Sequence, residues 1–149
     1  MDKKTLNKKF PSYFKSISDT YNIELPPSDA VNEPPVEVYR ACPTQKIEKM
    51  SFLNSYEEDD FKPVIGREDN PSSYSLSVYT KFSGVKRFTK VNRVYPHPCL
   101  IAKGTIDSNM GVWKFTPKSS HIDFWQYEGI PIWEKFSEFK ESDLNVDNK

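Results

Sequence analysis

Between Tyr74 and Arg93 the chain changes its repeat, and that change excludes both an all-helical and an all-strand protein. From Tyr74 to Thr80 the residues read Tyr-Ser-Leu-Ser-Val-Tyr-Thr. Alternation rich in aromatic and β-branched side chains predicts a strand. Ser75 and Ser77 then share one face, and Leu76 and Val78 share the other. Directly afterwards Phe82, Val85, Phe88 and Val91 recur at three-residue spacing, which predicts a short amphipathic helix. Lys81, Lys86, Arg87, Lys90, Arg93 and Lys103 follow with no acid among them. Such a basic run is a solvated helix face, or a local patch for a nucleotide phosphate or an RNA or DNA backbone. A strand that ends in small hydroxyls and turns into a basic helix is a common setting for an anion.

The rest of the chain agrees with short mixed elements. Twelve prolines against five glycines break a 149-residue chain too often for long helices. The length suits one domain. Twenty-one basic and twenty-one acidic residues cancel, so no global field favours nucleic acid or a lipid surface. Met1-Asp2-Lys3-Lys4 has no apolar stretch behind it, so no secretory signal is expected there. No run approaches the roughly 20 apolar residues of a membrane span. A cytoplasmic protein is the expectation.

Taken in order, residues 1–9 are Lys-rich and are expected to fray. Pro11 to Tyr21 predicts a helix presenting Tyr13, Phe14, Ile17 and Tyr21. Leu25 to Pro35, with four prolines, predicts an extended lead-in. Val36 to Cys42 alternates as a strand, with Val36, Val38, Arg40 and Cys42 on one face. Thr44 is placed to cap a helix from about Gln45, with Glu48 at the capping-box position and Ile47, Met50 and Leu53 or Asn54 as its stripe. Glu57-Glu58-Asp59-Asp60 reads as a solvated loop, and Phe61 to Pro71 as a further loop. Cys99 to Ile106 predicts a strand, and Val112 to Phe115 is expected to pair back on it as a hairpin. His121 to Gly129 predicts the last main strand, with Phe124, Gln126 and Glu128 on one face and Trp125 and Tyr127 on the other. Ile130 to Phe139 predicts a short helix through Trp133, Phe136 and Phe139. Residues 140–149 are polar and acidic and are expected to be disordered.

These elements predict an α+β fold. It has a single domain with a central, mainly antiparallel sheet of five or six strands and a few short flanking helices. The boundaries are a helix and Pro-rich lead-in over 1–35, the α+β domain over 36–139, and the tail over 140–149.

Few residue groups carry chemistry by their spacing. Cys42 and Cys99 sit in apolar, strand-like sequence and read as reduced, buried thiols. His97, two residues from Cys99, is the sharper alternative, a thiol–imidazole pair on one strand face. His121 reads as a strand-end histidine bonded to backbone, or as an acid–base group. No zinc spacing, phosphate loop or dinucleotide glycine fingerprint is present.

Three polar sets stand on strands where a core strand does not need them: Arg40, the Ser75/Ser77 pair, and the Gln126/Glu128 pair. Val-Tyr-Arg40, then Tyr-Ser75-Leu-Ser77-Val leading into a helix, then Gln126-Tyr-Glu128, resembles the signature of the arginine–serine–glutamate type of ADP-ribosyltransferase fold. The resemblance runs from residue 36 to 128 through five residues. It implies NAD as cofactor, with Arg40 on the diphosphate and Ser75 and Ser77 shaping the nicotinamide pocket. Glu128 is then the catalytic carboxylate, and Gln126 or Tyr127 orients a protein or nucleic-acid acceptor. Cleaving the nicotinamide–ribose bond builds positive charge on the sugar, which a fixed carboxylate stabilises. A guanidinium matches phosphate oxygens better than an ammonium does. The pattern departs from the family where the middle motif ends in Ser-Val and where no hydroxyl-rich loop precedes the glutamate. The alternative is a non-catalytic binding module, using exposed Trp113, Trp125 and Trp133 and the basic 81–93 helix. Either suits a toxin-like effector or an accessory partner in a microbial or phage setting.

Overall fold

The computed structural model describes residues 9–92 and 94–144. Six strands, β1 Val36–Cys42, β2 Leu76–Tyr79, β3 Leu100–Ile106, β4 Gly111–Phe115, β5 His121–Gln126 and β6 Phe136–Glu138, form one sheet in the order β4-β5-β2-β1-β3-β6. Every pairing is antiparallel. Helices α1 Tyr13–Tyr21, α2 Ser55–Glu58 and α3 Phe82–Val91 flank it. The fold is therefore α+β around a single sheet. The period change after Tyr74 lies where β2 gives way to α3.

The sheet buries both faces. On one, Val38, Cys42, Leu76, Val78, Ala102, Ile122 and Phe124 pack with Phe52, Ile132 and Phe136. On the other, Tyr39 and Ala41 lie under Phe82 and Val85 of α3 and under Phe139. A third cluster joins Phe14 and Ile17 of α1 to Tyr74 and Trp125. The α1 helix ends at Asn22, whose left-handed backbone (φ 55°) lets its N–H reach the Ser18 carbonyl. The β1–β3 ladder runs through seven residue pairs, whereas β1 meets β2 at the single pair Tyr39–Tyr79. The sheet is thinnest at that seam.

Several expectations are corrected. Val112–Phe115 does not pair back on Leu100–Ile106; β4 pairs with β5 instead. Both sides of β3 are already occupied, by β1 and by β6. The helix expected from Gln45 is only a 3-10 turn over Lys49–Phe52. Met50 points to solvent while Asn54 is buried, so the predicted stripe of Ile47, Met50 and Leu53 or Asn54 has no common face. Glu48 stands at the N-cap of that turn, and its N–H donates to Ser51 Oγ at 3.0 Å. The Ile130–Phe139 segment is a 3-10 turn over Ile132–Lys135 followed by β6. A helix would put Phe136 and Phe139 on one side, but they belong to cores on opposite faces of the sheet. Gly104 makes room for this: a Cβ there would lie 2.8 Å from both the Lys135 carbonyl oxygen and Phe136 Cγ. Trp113 and Trp125 are not exposed; they are 0% and 1% accessible and build the core. Of the expected fraying of 1–9 and disorder of 140–149, residues 1–8 and 145–149 lie outside the described residues, as does Arg93 of the basic run, while the Lys140 N–H donates to Asp143 Oδ2 at 2.9 Å and Leu144 packs against the Tyr39 cluster.

Candidate functional site

Arg40 occupies the face of β1 that also carries Val38 and Cys42, and it is 4% exposed. A guanidinium in that position needs acceptors on every side. Its Nε donates to the Ser51 carbonyl at 3.1 Å, Nη1 to the Ser77 carbonyl at 3.2 Å, and Nη2 to the Leu53 carbonyl at 3.4 Å. Gln126, on the same face of β5 as Ile122 and Phe124, donates from Nε2 to the intervening Phe52 carbonyl at 2.6 Å. Two polar side chains therefore fasten residues 51–53 to the sheet. The Ser77 carbonyl lies beside the thin β1–β2 seam, where Arg40 supplies a donor in place of a ladder bond.

The charge of Arg40 is offset by Glu58 Oε2 at 3.9 Å, and the Tyr95 hydroxyl donates to the same oxygen at 3.0 Å. Burial raises the Glu58 carboxyl above its ordinary range, and this outweighs the pull of Arg40. Burial also pushes Tyr95 up to about 12, against the attraction of Arg40. The expectation of a solvated acidic loop is thus corrected for two of its residues. Glu58 serves the guanidinium, and Glu57 is part of a capping box in which Asn54 Oδ1 accepts the Glu57 N–H.

Ser77 of β2, and Ser75 one residue before that strand, point away from the Leu76 and Val78 face. Ser77 Oγ lies 3.0 Å from His121 Nε2, and His121 Nδ1 lies 2.7 Å from Thr116 Oγ1. Ser75 Oγ lies 2.9 Å from both Asp123 Oδ1 and the Ser72 carbonyl. The antiparallel register explains this cluster, because Ser77 stands opposite Asp123 and Tyr79 opposite His121. The Tyr79 ring meets the imidazole edge-on at 5.4 Å. The Ser77–His121 contact was not anticipated, since the two residues are 44 positions apart and only the strand register brings them together.

Glu128 lies past the end of β5, exposed, and its N–H donates to the Lys9 carbonyl at 2.7 Å. The five residues of the arginine–serine–glutamate pattern are thus divided. Arg40 and Gln126 meet over one face, the serine hydroxyls face the other way, and Glu128 stands at the sheet's end. His97 and Cys99 also diverge. His97 Nε2 lies 3.0 Å from the Asn92 carbonyl, whereas the Cys99 thiol donates to the Cys42 carbonyl at 3.3 Å.

A cavity of about 800 Å³ opens beside Gln126 and Glu128. It lies between α1, residues 49–54, the segment after α2, and the exit of β5. Tyr13, Phe14, Phe52, Phe61, Tyr74, Phe124, Tyr127 and Trp133 give it an aromatic wall, with Lys49, Asn54, Glu57 and Asp60 among its polar groups. Asn54 Nδ2 donates to Tyr13 Oη at 2.9 Å, and that hydroxyl donates to Glu57 Oε2 at 2.8 Å. Burial, then the Glu57 charge, raises the Tyr13 phenol far above its usual value, so it stays a protonated donor. Asp60 and Phe61 both adopt left-handed backbone (φ 56° and 62°), which costs roughly 1–2 kcal/mol per residue. That conformation sets the Phe61 ring edge-on to Tyr13, with centroids 5.6 Å apart.

The fold and this site together define an α+β protein with an aromatic, ligand-sized cavity at the end of its sheet. No protein-family model matches the chain, and no curated protein and no solved structure matches it. Among the described residues there is no cluster of three or more metal-ligating side chains and no helix long and apolar enough to cross a membrane.

Proposed function

We propose that the protein is a non-catalytic binding module whose ligand enters the aromatic cavity. The observation that carries this is the cavity itself: about 800 Å³ walled by eight aromatic side chains around the Tyr13–Asn54–Glu57 hydrogen-bond chain. Ligand pockets of roughly 300–1,000 Å³, mostly apolar with a few convergent polar groups, are the usual form of small-molecule sites. The basic face of α3 is a weaker candidate, because Lys86 already pairs with Glu141.

An ADP-ribosyltransferase activity is the competing reading, and the side-chain geometry favours it less. Arg40 is 4% exposed and spends three of its five N–H donors on backbone carbonyls, so little of it is open to a diphosphate. Amide and indole NMR shifts distinguish the two, using a fragment mixture that includes small aromatics, amines and NAD. The module reading expects shifts at Tyr13, Tyr127 and Trp133 that weaken in Trp133→Leu. NAD cleavage by the wild type that is lost in Glu128→Ala would replace it with the transferase reading. Shifts confined to α3 would move the site to the basic helix.

A further inference from the structure

We infer that the cavity selects an organic cation of the ammonium class; this rests on the cavity being the ligand site. Its lining carries three acids, Glu57, Asp60 and Glu128, against one base, Lys49. Among the described residues none of the three acids forms an ion pair. Glu57 is instead held by neutral donors. Its Oε1 accepts the Asn54 N–H at 3.1 Å and its Oε2 accepts the Tyr13 hydroxyl at 2.8 Å. Its position is thus fixed while, among the described residues, no cation pairs with its charge. Asp60 and Glu128 are exposed at the rim, where they attract a cation before it enters.

The aromatic wall supplies the second half of the recognition. Ring faces carry negative quadrupole density, so a desolvated ammonium gains from them where a neutral group of the same shape does not. Trp133, the strongest such ring type, lines the cavity together with Tyr13 and Phe61. An anion meets the opposite balance: three carboxylates and one exposed lysine. A neutral apolar ligand would gain nothing from the three carboxylates.

Calorimetric titration of the full chain with choline, with its neutral isostere 3,3-dimethylbutan-1-ol, and with a short peptide bearing trimethyllysine tests this. Choline is expected to bind roughly 5- to 30-fold more tightly than the isostere. Asp60→Asn combined with Glu128→Gln should shrink that ratio without loss of fold, since both side chains are exposed. Trp133→Leu should shrink it further. Tighter binding of choline than of the peptide identifies a free small molecule as the natural source, and the reverse order identifies a modified side chain. Both orders support the cation class. Equal binding of choline and the isostere overturns that class while leaving the cavity as the site. Binding of none of the three, with no NMR shift at the cavity from any fragment, overturns both.

Discussion

Replacing Arg40 with methionine separates a structural guanidinium from a ligand-binding one. The change keeps most of the apolar stem and removes the planar head. The carbonyls of Ser51, Leu53 and Ser77 then lose a donor, and Glu58 keeps its charge without its partner. Arg40 is buried, but Glu58 is partly exposed and 3.9 Å away, so their pair contributes about 1 kcal/mol or less. A buried acceptor left unsatisfied costs about 1–3 kcal/mol, and these terms overlap. The Leu53 contact at 3.4 Å and the Glu58 contact at 3.9 Å are long, which puts the sum near the lower end. We therefore expect a loss of about 3 kcal/mol, out of a total that is about 5–15 kcal/mol for native domains. For a chain of this size that lowers Tm by roughly 6–12 °C. Arg40→Lys should recover little, because one ammonium cannot reach acceptors on three sides. Urea unfolding followed by far-ultraviolet circular dichroism gives the value, and a cycle with Glu58→Gln gives the coupling. A loss below about 1 kcal/mol in Arg40→Met, with native spectra, would refute the argument, since surface substitutions cost that little.

Three further outcomes are expected. Gly104→Ala should lower stability by about 1–3 kcal/mol in thermal melts, because its Cβ meets the Lys135 carbonyl oxygen, at 2.8 Å, and backbone cannot step aside; melting unchanged from wild type would show that β6 is displaced at no cost. Burial pushes the Cys42 thiol up to about 11 and raises Cys99 as well, so iodoacetamide at pH 8 should modify both slowly and the half-buried Cys99 first; mass spectrometry showing Cys42 labelled first would contradict the packing. Stability should fall as pH rises from about 9 to 12: burial lifts Cys42 from 9.0 to about 11 and Tyr74 and Tyr95 from 10.0 to about 12, so the folded state keeps protons the unfolded chain has released. Urea midpoints that stay level from pH 8 to 11 would show that these groups are not shifted.

Wherever a single element's period reached the core, it was legible from the sequence. The Leu76/Val78 alternation and the Phe82/Val85 spacing each match a buried face, and α1, β1, β3 and β5 lie within their predicted spans. What failed was pairing and partnership, which no local period encodes. Phe136 and Phe139 are three residues apart, a spacing shared by a helix face and by the two sides of a strand. Gly104 admits the strand arrangement, since a Cβ there would meet the Lys135 carbonyl and the Phe136 ring. Arg40, Gln126 and Ser77 stand in strands as expected, whereas Ser75 lies just before β2, and polarity alone does not say what any of them bonds. The Ser51 and Phe52 carbonyls that Arg40 and Gln126 satisfy belong to a 3-10 turn, and the sequence there suggested a helix with its own internal bonds. Once that turn is tight and short, its last carbonyls need outside donors, and two strand residues supply them. The cavity was harder still to anticipate. Its wall draws on α1, residues 49–54, Phe61, β5 and Trp133, with Tyr13 and Trp133 separated by 120 positions. Its acidity comes from Glu57, Asp60 and Glu128, of which the first two sat in a run that reads as solvated. A charge run gives its composition but not its facing; Asn54, by capping α2 and bonding Tyr13, turns one carboxylate of that run towards the aromatic wall.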